Sequence, residues 1–501
     1  MKKTAIVNTT SGKVQGYTEE GLDIFKGIPF AEPPIGELRF CPPVGKESWD
    51  GVFDATKYGP CAFQGSTSLE EWFGKLEDES EDCLNLNIWT PSTDGEKRPV
   101  MVWIHGGAFI TGSGKHVFYD GSELANRGNV VIVTINYRLG ALGYLYIPGV
   151  TANVGQLDQI LALKWVHNNI EAFGGDPNNV TIFGESAGGY AVVTLPAMPA
   201  AKGLFHRVIA QSAPYFDPEV SEKNTRTLMR KLKVKKGDID GLRKLSAKTI
   251  IEAQNAMMKN DVASVLAFRP LIDGVTIPKH PLEAFRNGDC KDIEFMIGSN
   301  LDEAKMFTAL APDLNAMIGE GGDNSLIMLM GMLNIDTSKS RAIVDAYKKA
   351  REGKLSNEPL ELLNVLITEG IFRIPTIRLL EAQSRHQPNT FNYMFTYPSP
   401  YLNGTLGSPH AVEIPFVFNT IHSPILGGFV GNGPSEQILS EKVMDAWIAF
   451  AHTGDPNHEN IPQWPSYKVD QRATMFLGNE CKIVNAAFDK ERQAWDGLLD
   501  P

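Results

Sequence analysis

The segment Gly184-Glu185-Ser186-Ala187-Gly188 places a serine between two glycines at a spacing that supports nucleophilic catalysis. A buried strand is predicted directly before it, at residues 180–183, and an apolar run that fits a helix follows at residues 190–195. Between a strand and a helix, a G-x-S-x-G segment forms a tight turn that exposes the serine hydroxyl. Glycine is required at both flanks because a neighbouring Cβ would clash. We therefore predict that Ser186 is a nucleophile, against the alternative of a glycine-rich turn with an idle serine.

A second glycine-rich segment, His105-Gly106-Gly107-Ala108-Phe109, directly follows an apolar run at residues 100–104. A loop of this type after an early strand presents backbone N–H groups to a substrate carbonyl oxygen. We expect the N–H groups of Gly107 and Ala108 to form an oxyanion hole together with the N–H of Ala187 at the predicted helix start.

The residues that follow do not match either of two glycine-dependent nucleotide-binding motifs. In Gly112-Ser113-Gly114-Lys115, a phosphate-binding loop would require glycine at position 109 and serine or threonine at position 116, which are Phe109 and His116. A dinucleotide fingerprint would require its third glycine where Val117 stands. No nucleotide is therefore expected, and serine-based acyl transfer needs neither a metal nor an organic cofactor.

A serine nucleophile needs a general base, and where a G-x-S-x-G serine lies between a strand and a helix, the triad residues follow in the order serine, acid, histidine. Seven histidines follow Ser186, of which His206 is too close to leave room for an acid and His458 trails a polar loop. The five remaining candidates are His280, His386, His410, His422 and His452. The chemistry of the residues alone does not choose among these five.

The elements that must position these residues alternate between strands and helices. Residues 155–173 carry apolar positions at helical spacing. Short apolar runs typical of buried strands occupy residues 86–89, 99–104, 130–135, 180–183 and 208–210, with further strand signals at 295–297 and 391–395. This alternation predicts an α/β fold with a mainly parallel sheet flanked by helices.

Two blocks, residues 215–270 and 310–385, are instead mostly helical by pattern and rich in Lys, Leu and Met. We interpret them as helical insertions within a single domain spanning residues 1–501. They are expected to lie over the carboxyl edge of the sheet, where α/β enzymes bind ligands.

The composition excludes several classes of protein. In 501 residues, 43% are apolar and 21% charged, which is ordinary globular usage, and 47 Lys+Arg against 59 Asp+Glu give a net charge of −12, which argues against a nucleic-acid partner. No apolar run approaches the ~18 residues of a membrane span, and the first residues do not form a signal-peptide core. We expect a cytoplasmic protein, monomeric or weakly homo-oligomeric, with a small-molecule substrate.

Longer motifs, taken in order along nearly the whole chain, resemble the type-B carboxylesterase family of the α/β-hydrolase superfamily. The similarity is to bacterial para-nitrobenzyl esterases and, more distantly, to cholinesterases. Besides the two glycine-rich segments, it is carried by Phe25-Lys26-Gly27-Ile28-Pro29-Phe30-Ala31, Ser80-Glu81-Asp82-Cys83-Leu84-Asn85-Leu86-Asn87-Ile88-Trp89, Asn136-Tyr137-Arg138-Leu139-Gly140, Asn153-Val154-Gly155-Gln156-Leu157-Asp158-Gln159 and Trp447-Ile448-Ala449-Phe450-Ala451-His452-Thr453-Gly454-Asp455-Pro456. The resemblance implies the α/β-hydrolase fold and hydrolysis of small to medium carboxylic esters through an acyl-enzyme.

The resemblance also implies the rest of the triad. The family's base lies in a motif that residues 407–418 match, which implies that His410 is the base. The family's acid is a glutamate in a loop after a strand, and residues 297–304 match that loop with Glu303 at the acid position. Asp302 is an adjacent alternative, and Ala304 stands where the family has glycine.

Other positions implied by the resemblance are structural or line the pocket. Arg39 with Glu81, and Arg138 with Asp158, match internal ion pairs of the family. Cys61 and Cys83 match a pair that is bridged in secreted members, and without a signal peptide we expect them to be free thiols. The residues expected to line the substrate pocket are Gly106, Phe109, Glu185 and Trp72.

Two other functions remain open at the level of sequence. A lipase-type acylglycerol hydrolase would need a large apolar lid, and Met328-Leu329-Met330-Gly331-Met332-Leu333 fits either an acyl pocket or a helix core. A non-catalytic adhesion protein of the cholinesterase type would typically have lost the serine, which this chain keeps.

Overall fold

The structure is a computed structural model that describes residues 2–65, 76, 78–215, 222–258, 267–331 and 335–499. Trp72, Met332 and Leu333 lie outside the described residues. Within that part of the chain, no helix is long and apolar enough to cross a membrane.

The strands carry the buried apolar runs that the sequence predicts. They are β1 (Lys2–Lys3), β2 (Val7–Asn8), β3 (Lys13–Gln15), β4 (Tyr17–Glu19), β5 (Leu22–Pro29), β6 (Val52–Asp54), β7 (Cys61–Ala62), β8 (Glu79–Ser80), β9 (Asn85–Thr90), β10 (Arg98–Ile104), β11 (Val131–Ile135), β12 (Gly175–Glu185), β13 (Arg207–Gln211), β14 (Glu294–Asn300), β15 (Thr390–Phe395), β16 (Ala473–Leu477) and β17 (Lys482–Asn485).

In the described residues, the central sheet has the strand order β1-β4-β5-β9-β11-β10-β12-β13-β14-β15-β16-β17. The strands from β11 to β16 in that order run parallel to one another. The strands at the two edges, including the fully buried β9, pair in antiparallel fashion. This mainly parallel sheet confirms the predicted fold class.

Alternate residues of the central strands pack into two hydrophobic cores, one on each face of the sheet. Val100 and Val102 of β10 belong to the first core, and Met101 and Trp103 belong to the second. Because both faces are covered, these strands are apolar throughout rather than alternating with polar residues.

Helices cover the sheet, and they include the segment in which the sequence shows apolar residues at helical spacing. Residues 155–173 lie in a helix (Val154–Asn169) and the 3₁₀ turn that follows it at Ile170–Phe173. The helices are α1 (Ser122–Gly128), α2 (Gly140–Tyr144), α3 (Val154–Asn169), α4 (Ala187–Thr194), α5 (Lys223–Lys231), α6 (Ile239–Arg243), α7 (Ala247–Met258), α8 (Pro281–Arg286), α9 (Ala304–Ala309), α10 (Pro312–Met330), α11 (Thr337–Arg351), α12 (Pro359–Ile367), α13 (Ile374–Gln383), α14 (Ile414–Val417), α15 (Gly427–Val430), α16 (Pro434–Thr453) and α17 (Asp489–Gln493).

Residues 310–385 are mostly helical, as the sequence predicts, and the end of α12 continues into a π-helical turn at Thr368–Arg373. Helices α10, α11 and α12 share a third hydrophobic core with Trp495 near the end of the chain. Met330 is buried in this core, so this methionine of the Met-rich segment is a helix-core residue.

Candidate active site

The predicted nucleophile lies where β12 ends and α4 begins. Ser186 has φ 56° and ψ −122°, a backbone conformation that costs energy for any residue other than glycine. A Cβ at Gly184 would lie 2.6 Å from the Ile104 carbonyl oxygen, and a Cβ at Gly188 would lie 2.0 Å from the same oxygen. The turn is therefore pressed against the end of β10, and both flanking positions require glycine.

The glycine-rich loop after β10 packs directly against this turn. A Cβ at Gly106 would lie 3.1 Å from the Ser186 Cβ. The backbone then bends sharply, with φ of 101° at Gly107 and 53° at Ala108. Within the described structure, no hydrogen bond uses the N–H groups of Gly107, Ala108 or Ala187. These three donors, which were predicted to form the oxyanion hole, thus remain available to a ligand.

Phe109 does not line the pocket, contrary to the expectation from sequence. It has φ 60° and is completely buried, with its ring centroid 4.9 Å from that of Tyr144 and 6.2 Å from that of Tyr190. The bend of the loop directs this side chain into the hydrophobic core instead of the cleft.

The structure brings His410 and Glu303 together from loops that follow two adjacent parallel strands. Glu303 follows β14 and His410 follows β15, and Glu303 Oε2 lies 2.5 Å from His410 Nδ1. The other carboxylate oxygen, Oε1, accepts a hydrogen bond of 2.7 Å from the Asn300 N–H. Both side chains are buried, so the carboxylate fixes the orientation of the imidazole in surroundings with little water.

The other four candidate histidines have partners elsewhere in the fold. His280 caps the start of α8, His386 contacts the Arg286 carbonyl oxygen, His422 contacts Gln437 and His452 contacts the Gly128 carbonyl oxygen. None of these four is among the described residues that line the cleft around Ser186.

Asp302, the alternative acid, faces the backbone of the His410 loop rather than the imidazole. Its Oδ2 accepts a hydrogen bond of 2.9 Å from the Ser408 N–H, and Oδ1 lies 3.2 Å from Lys305 Nζ. The neighbouring Ala304 begins α9 and does not have a positive φ, so alanine fits where the related family has glycine.

Two further carboxylates, Glu185 and Glu413, are buried close to His410. Glu185 Oε1 lies 3.0 Å from His410 Nε2, but the pair is not aligned as a hydrogen bond. Burial lowers the pKa of His410, and the negative charges of Glu185 and Glu303 outweigh this effect, so that the pKa is raised. Burial also raises the pKa of Glu185, while the charge of His410 partly opposes this rise.

Glu413 is a buried residue that the sequence analysis did not assign. Its Oε1 accepts a hydrogen bond of 3.1 Å from Gln211 Nε2, and its Oε2 accepts one of 2.7 Å from Asn300 Nδ2. Burial raises the pKa of this carboxyl group. The signal was present in the sequence, because an acidic residue in the apolar stretch that follows His410 indicates a buried carboxylate with partners.

Ser186 and His410 line one open cleft, whose volume of about 850 Å³ includes space that is open to solvent. Gly106, Gly107, Ala108 and Glu185 lie on its walls as well. Much of the remaining lining is apolar or aromatic and includes Phe118, Tyr119, Met306, Phe307 and Ile414. In the described part of the chain, no group of three or more His, Cys, Asp or Glu residues is arranged to hold a metal ion.

The two expected ion pairs are present. Arg39 donates to both carboxylate oxygens of Glu81 at 2.6 Å, and Arg138 donates to those of Asp158 at 2.7 and 2.8 Å. Asp158 is completely buried. Cys83 is a buried free thiol, and burial raises the pKa of Cys61 to about 11.

A model of the family described as the carboxylesterase family matches residues 3–495. The para-nitrobenzyl esterase of Bacillus subtilis (strain 168) is 37% identical over 498 residues, which cover 97% of this chain and 98% of that protein. The phenmedipham hydrolase of Pseudarthrobacter oxydans is 35% identical over 486 residues, which cover 95% of each chain.

Solved structures show the same similarity at the level of the fold. A para-nitrobenzyl esterase structure superimposes with a TM-score of 0.83 at 36% identity, covering 98% of this chain and 99% of the other. A carboxylesterase of Geobacillus stearothermophilus superimposes with a TM-score of 0.85 at 35% identity and the same coverage.

Proposed function

Since this chain belongs to the carboxylesterase family and is a serine hydrolase of carboxylic esters, we propose that Ser186, His410 and Glu303 are its catalytic triad. The observation that carries the proposal is the 2.5 Å contact between Glu303 Oε2 and His410 Nδ1 beside the cleft that Ser186 lines. An acid that holds one imidazole nitrogen leaves the other free to act as a base toward a serine.

In this mechanism, the Ser186 hydroxyl attacks the ester carbonyl carbon while His410 Nε2 takes up its proton. The N–H groups of Gly107, Ala108 and Ala187 stabilise the negative oxygen of the tetrahedral intermediate. The alcohol leaves with the proton from His410 and an acyl-enzyme remains. Water activated by the same imidazole then releases the acid. Glu303 stabilises the imidazolium at each step without taking up its proton.

We propose small to medium neutral esters as the substrates. The mostly apolar walls of the cleft suit an uncharged acyl chain. Glu79 and Glu185 contribute carboxylates, and no Lys or Arg belongs to the described lining, so a substrate with an anionic acyl group should bind poorly. Comparing dissolved p-nitrophenyl butyrate with an emulsified long-chain triglyceride distinguishes this activity from that of a lipase.

We also propose that residues 1–501 form one catalytic domain, with residues 215–270 and 310–385 as helical insertions. A match to one family model that runs from residue 3 to residue 495 supports the single domain. For the cell, we propose a cytoplasmic location, because Cys41, Cys83, Cys290 and Cys481 are free thiols. A monomer or weak homo-oligomer is our proposal for assembly, and light scattering across a range of concentrations tests it.

The triad is tested by replacing the base and comparing hydrolysis of p-nitrophenyl butyrate. His410→Ala should lower kcat by a factor on the order of 10⁴ to 10⁶, because the proton of Ser186 then has no acceptor. His452→Ala is the matched control, since His452 contacts the Gly128 carbonyl oxygen on α1 and is not among the described residues that line the cleft. Equal loss in both variants, or full activity in His410→Ala, would contradict the assignment.

A further inference from the structure

The π-helical turn Thr368–Arg373 joins helix α12 to helix α13, and it contacts the proposed base and the residue that follows the proposed acid. Such turns are rare in proteins and occur frequently at functional sites. Nothing in the sequence pattern predicted this turn. Its residues are not among those that line the cleft, so any influence on the reaction must pass through the residues that it contacts.

Thr368 holds the backbone next to the proposed acid. Its Oγ1 accepts a hydrogen bond of 3.1 Å from the Ala304 N–H, and both residues are buried. Because Ala304 is the first residue of α9, its N–H has no acceptor within the helix. Together with the bond from the Asn300 N–H to the carboxylate, this contact fixes Glu303 at both its side chain and its backbone.

Phe372 holds the imidazole itself. The rings of Phe372 and Phe307 each have their centroids 5.0 Å from that of His410, at an interplanar angle of 46°. The two phenyl rings are parallel to within 2°, with centroids 6.3 Å apart. Phe372 is 3% exposed, whereas Phe307 is 37% exposed and lines the cleft. The imidazole therefore contacts two matched aromatic rings, one buried and one open to substrate.

Hydrogen bonds also connect the π-helical turn to neighbouring segments of the chain. Arg373 donates to both carboxylate oxygens of Glu369 and to the Ala487 carbonyl oxygen at 3.1 Å. The Ile371 carbonyl oxygen accepts a bond of 2.6 Å from the Tyr215 N–H, in the loop after β13. These contacts restrain the π-helical turn at several places. A segment that positions catalytic side chains must itself be held in place in this way.

We propose that Thr368 and Phe372 are positioning residues, the first fixing the loop that carries the acid and the second fixing the plane of the imidazole. The inference rests on the proposed roles of Glu303 and His410. Both residues act on the geometry of proton transfer and neither touches substrate, so their loss should lower kcat and leave KM nearly unchanged. The charged groups that face His410 are Glu303, Glu185 and Glu413, and none of them is altered by changes at positions 368 and 372.

The experiment compares Thr368→Val, Thr368→Ser and Phe372→Leu in steady-state hydrolysis of p-nitrophenyl butyrate across pH. Thr368→Val and Phe372→Leu should lower kcat by about 10- to 100-fold with KM changed by less than roughly twofold. Thr368→Ser keeps the acceptor oxygen and should retain near-native kcat. In Thr368→Val, the acid limb of the profile should also move to lower pH, because a loosely held carboxylate stabilises the imidazolium less.

The matched controls are Thr90→Val and Phe285→Leu, which remove a buried hydroxyl and a buried ring from residues that are not part of the described cleft lining. These controls should unfold at lower urea concentration yet keep native kcat and pH profile. Should Phe372→Leu fail to fold, Phe372→Met fills similar volume without a ring and carries the same test.

Native kcat and pH profile in folded Thr368→Val and Phe372→Leu would overturn the proposal. So would a higher KM at native kcat, which would make Phe372 a substrate contact, or a failure of Thr368→Ser to restore the rate lost in Thr368→Val. A wrong triad assignment would give a different result from a wrong positioning role, because Glu303→Gln or His410→Ala would then retain turnover.

Discussion

Replacing Glu303 by glutamine changes one oxygen of the acid to an NH₂ group and leaves its size unchanged. Oε1 accepts from the Asn300 N–H at 2.7 Å and Oε2 lies 2.5 Å from His410 Nδ1. If the glutamine oxygen stays on the Asn300 N–H, its NH₂ group faces Nδ1 and forces the proton onto Nε2. That tautomer cannot accept the proton of Ser186.

The opposite orientation of the glutamine also costs free energy. With its oxygen toward His410 Nδ1, its NH₂ group meets the Asn300 N–H, and leaving buried donors unpaired costs about 1–3 kcal/mol. In both orientations, the substitution also removes the negative charge that stabilises the imidazolium. Neither orientation supports catalysis well, and we expect kcat to fall by ~10³- to 10⁴-fold, on the order of 4–5.5 kcal/mol of barrier.

Asp302→Asn is the matched control, because it makes the same chemical change at the adjacent position. An asparagine oxygen can still accept from the Ser408 N–H, and the contact with Lys305 is partly exposed, so its loss costs about 1 kcal/mol of stability or less. The assay is steady-state hydrolysis of p-nitrophenyl butyrate, with urea unfolding to verify that both variants fold. A crippled Asp302→Asn beside a near-native Glu303→Gln would show that the acid assignment is wrong by one residue.

Three further outcomes follow from the contacts around the site. Nearby carboxylates raise the pKa of His410, and a protonated imidazole cannot act as a base, so the acid limb of the pH profile should lie above the ~6.5 of an ordinary histidine. In a titration of kcat/KM against pH, Glu185→Gln should move that limb to lower pH, because one of these carboxylates is removed. Asp158→Asn leaves the buried Arg138 without its counter-charge and should lower the free energy of unfolding in urea by about 3–5 kcal/mol. Gly107→Ala places a Cβ 2.2 Å from a backbone oxygen at φ 101° and should lower kcat by about 10²- to 10³-fold in single-turnover assays, through distortion of the oxyanion loop.

The sequence predicts those parts of the fold that depend on interactions between residues close together in the chain. The turn at Ser186 follows from two glycines between an apolar strand and a helix, and the structure shows the carbonyl that excludes a Cβ at each. Contacts between distant segments leave no such pattern. The resemblance placed Glu303 near His410, but nothing local indicated that Phe372 would face the same imidazole. Phe109 was misplaced because a positive φ, which no residue type signals there, directs its ring into the core.

Covalent labelling is the measurement that tests the central claim most directly. A fluorophosphonate reacts with an activated serine, so mass spectrometry of the digested protein should find one label per chain, on Ser186, with hydrolysis lost in proportion. Ser186→Ala should remain unlabelled and lose about 10⁶-fold in kcat, whereas Ser440→Ala, which changes a buried serine on α16, should label and turn over like the native protein. A label on any other residue, together with hydrolysis that survives in Ser186→Ala, would contradict the account.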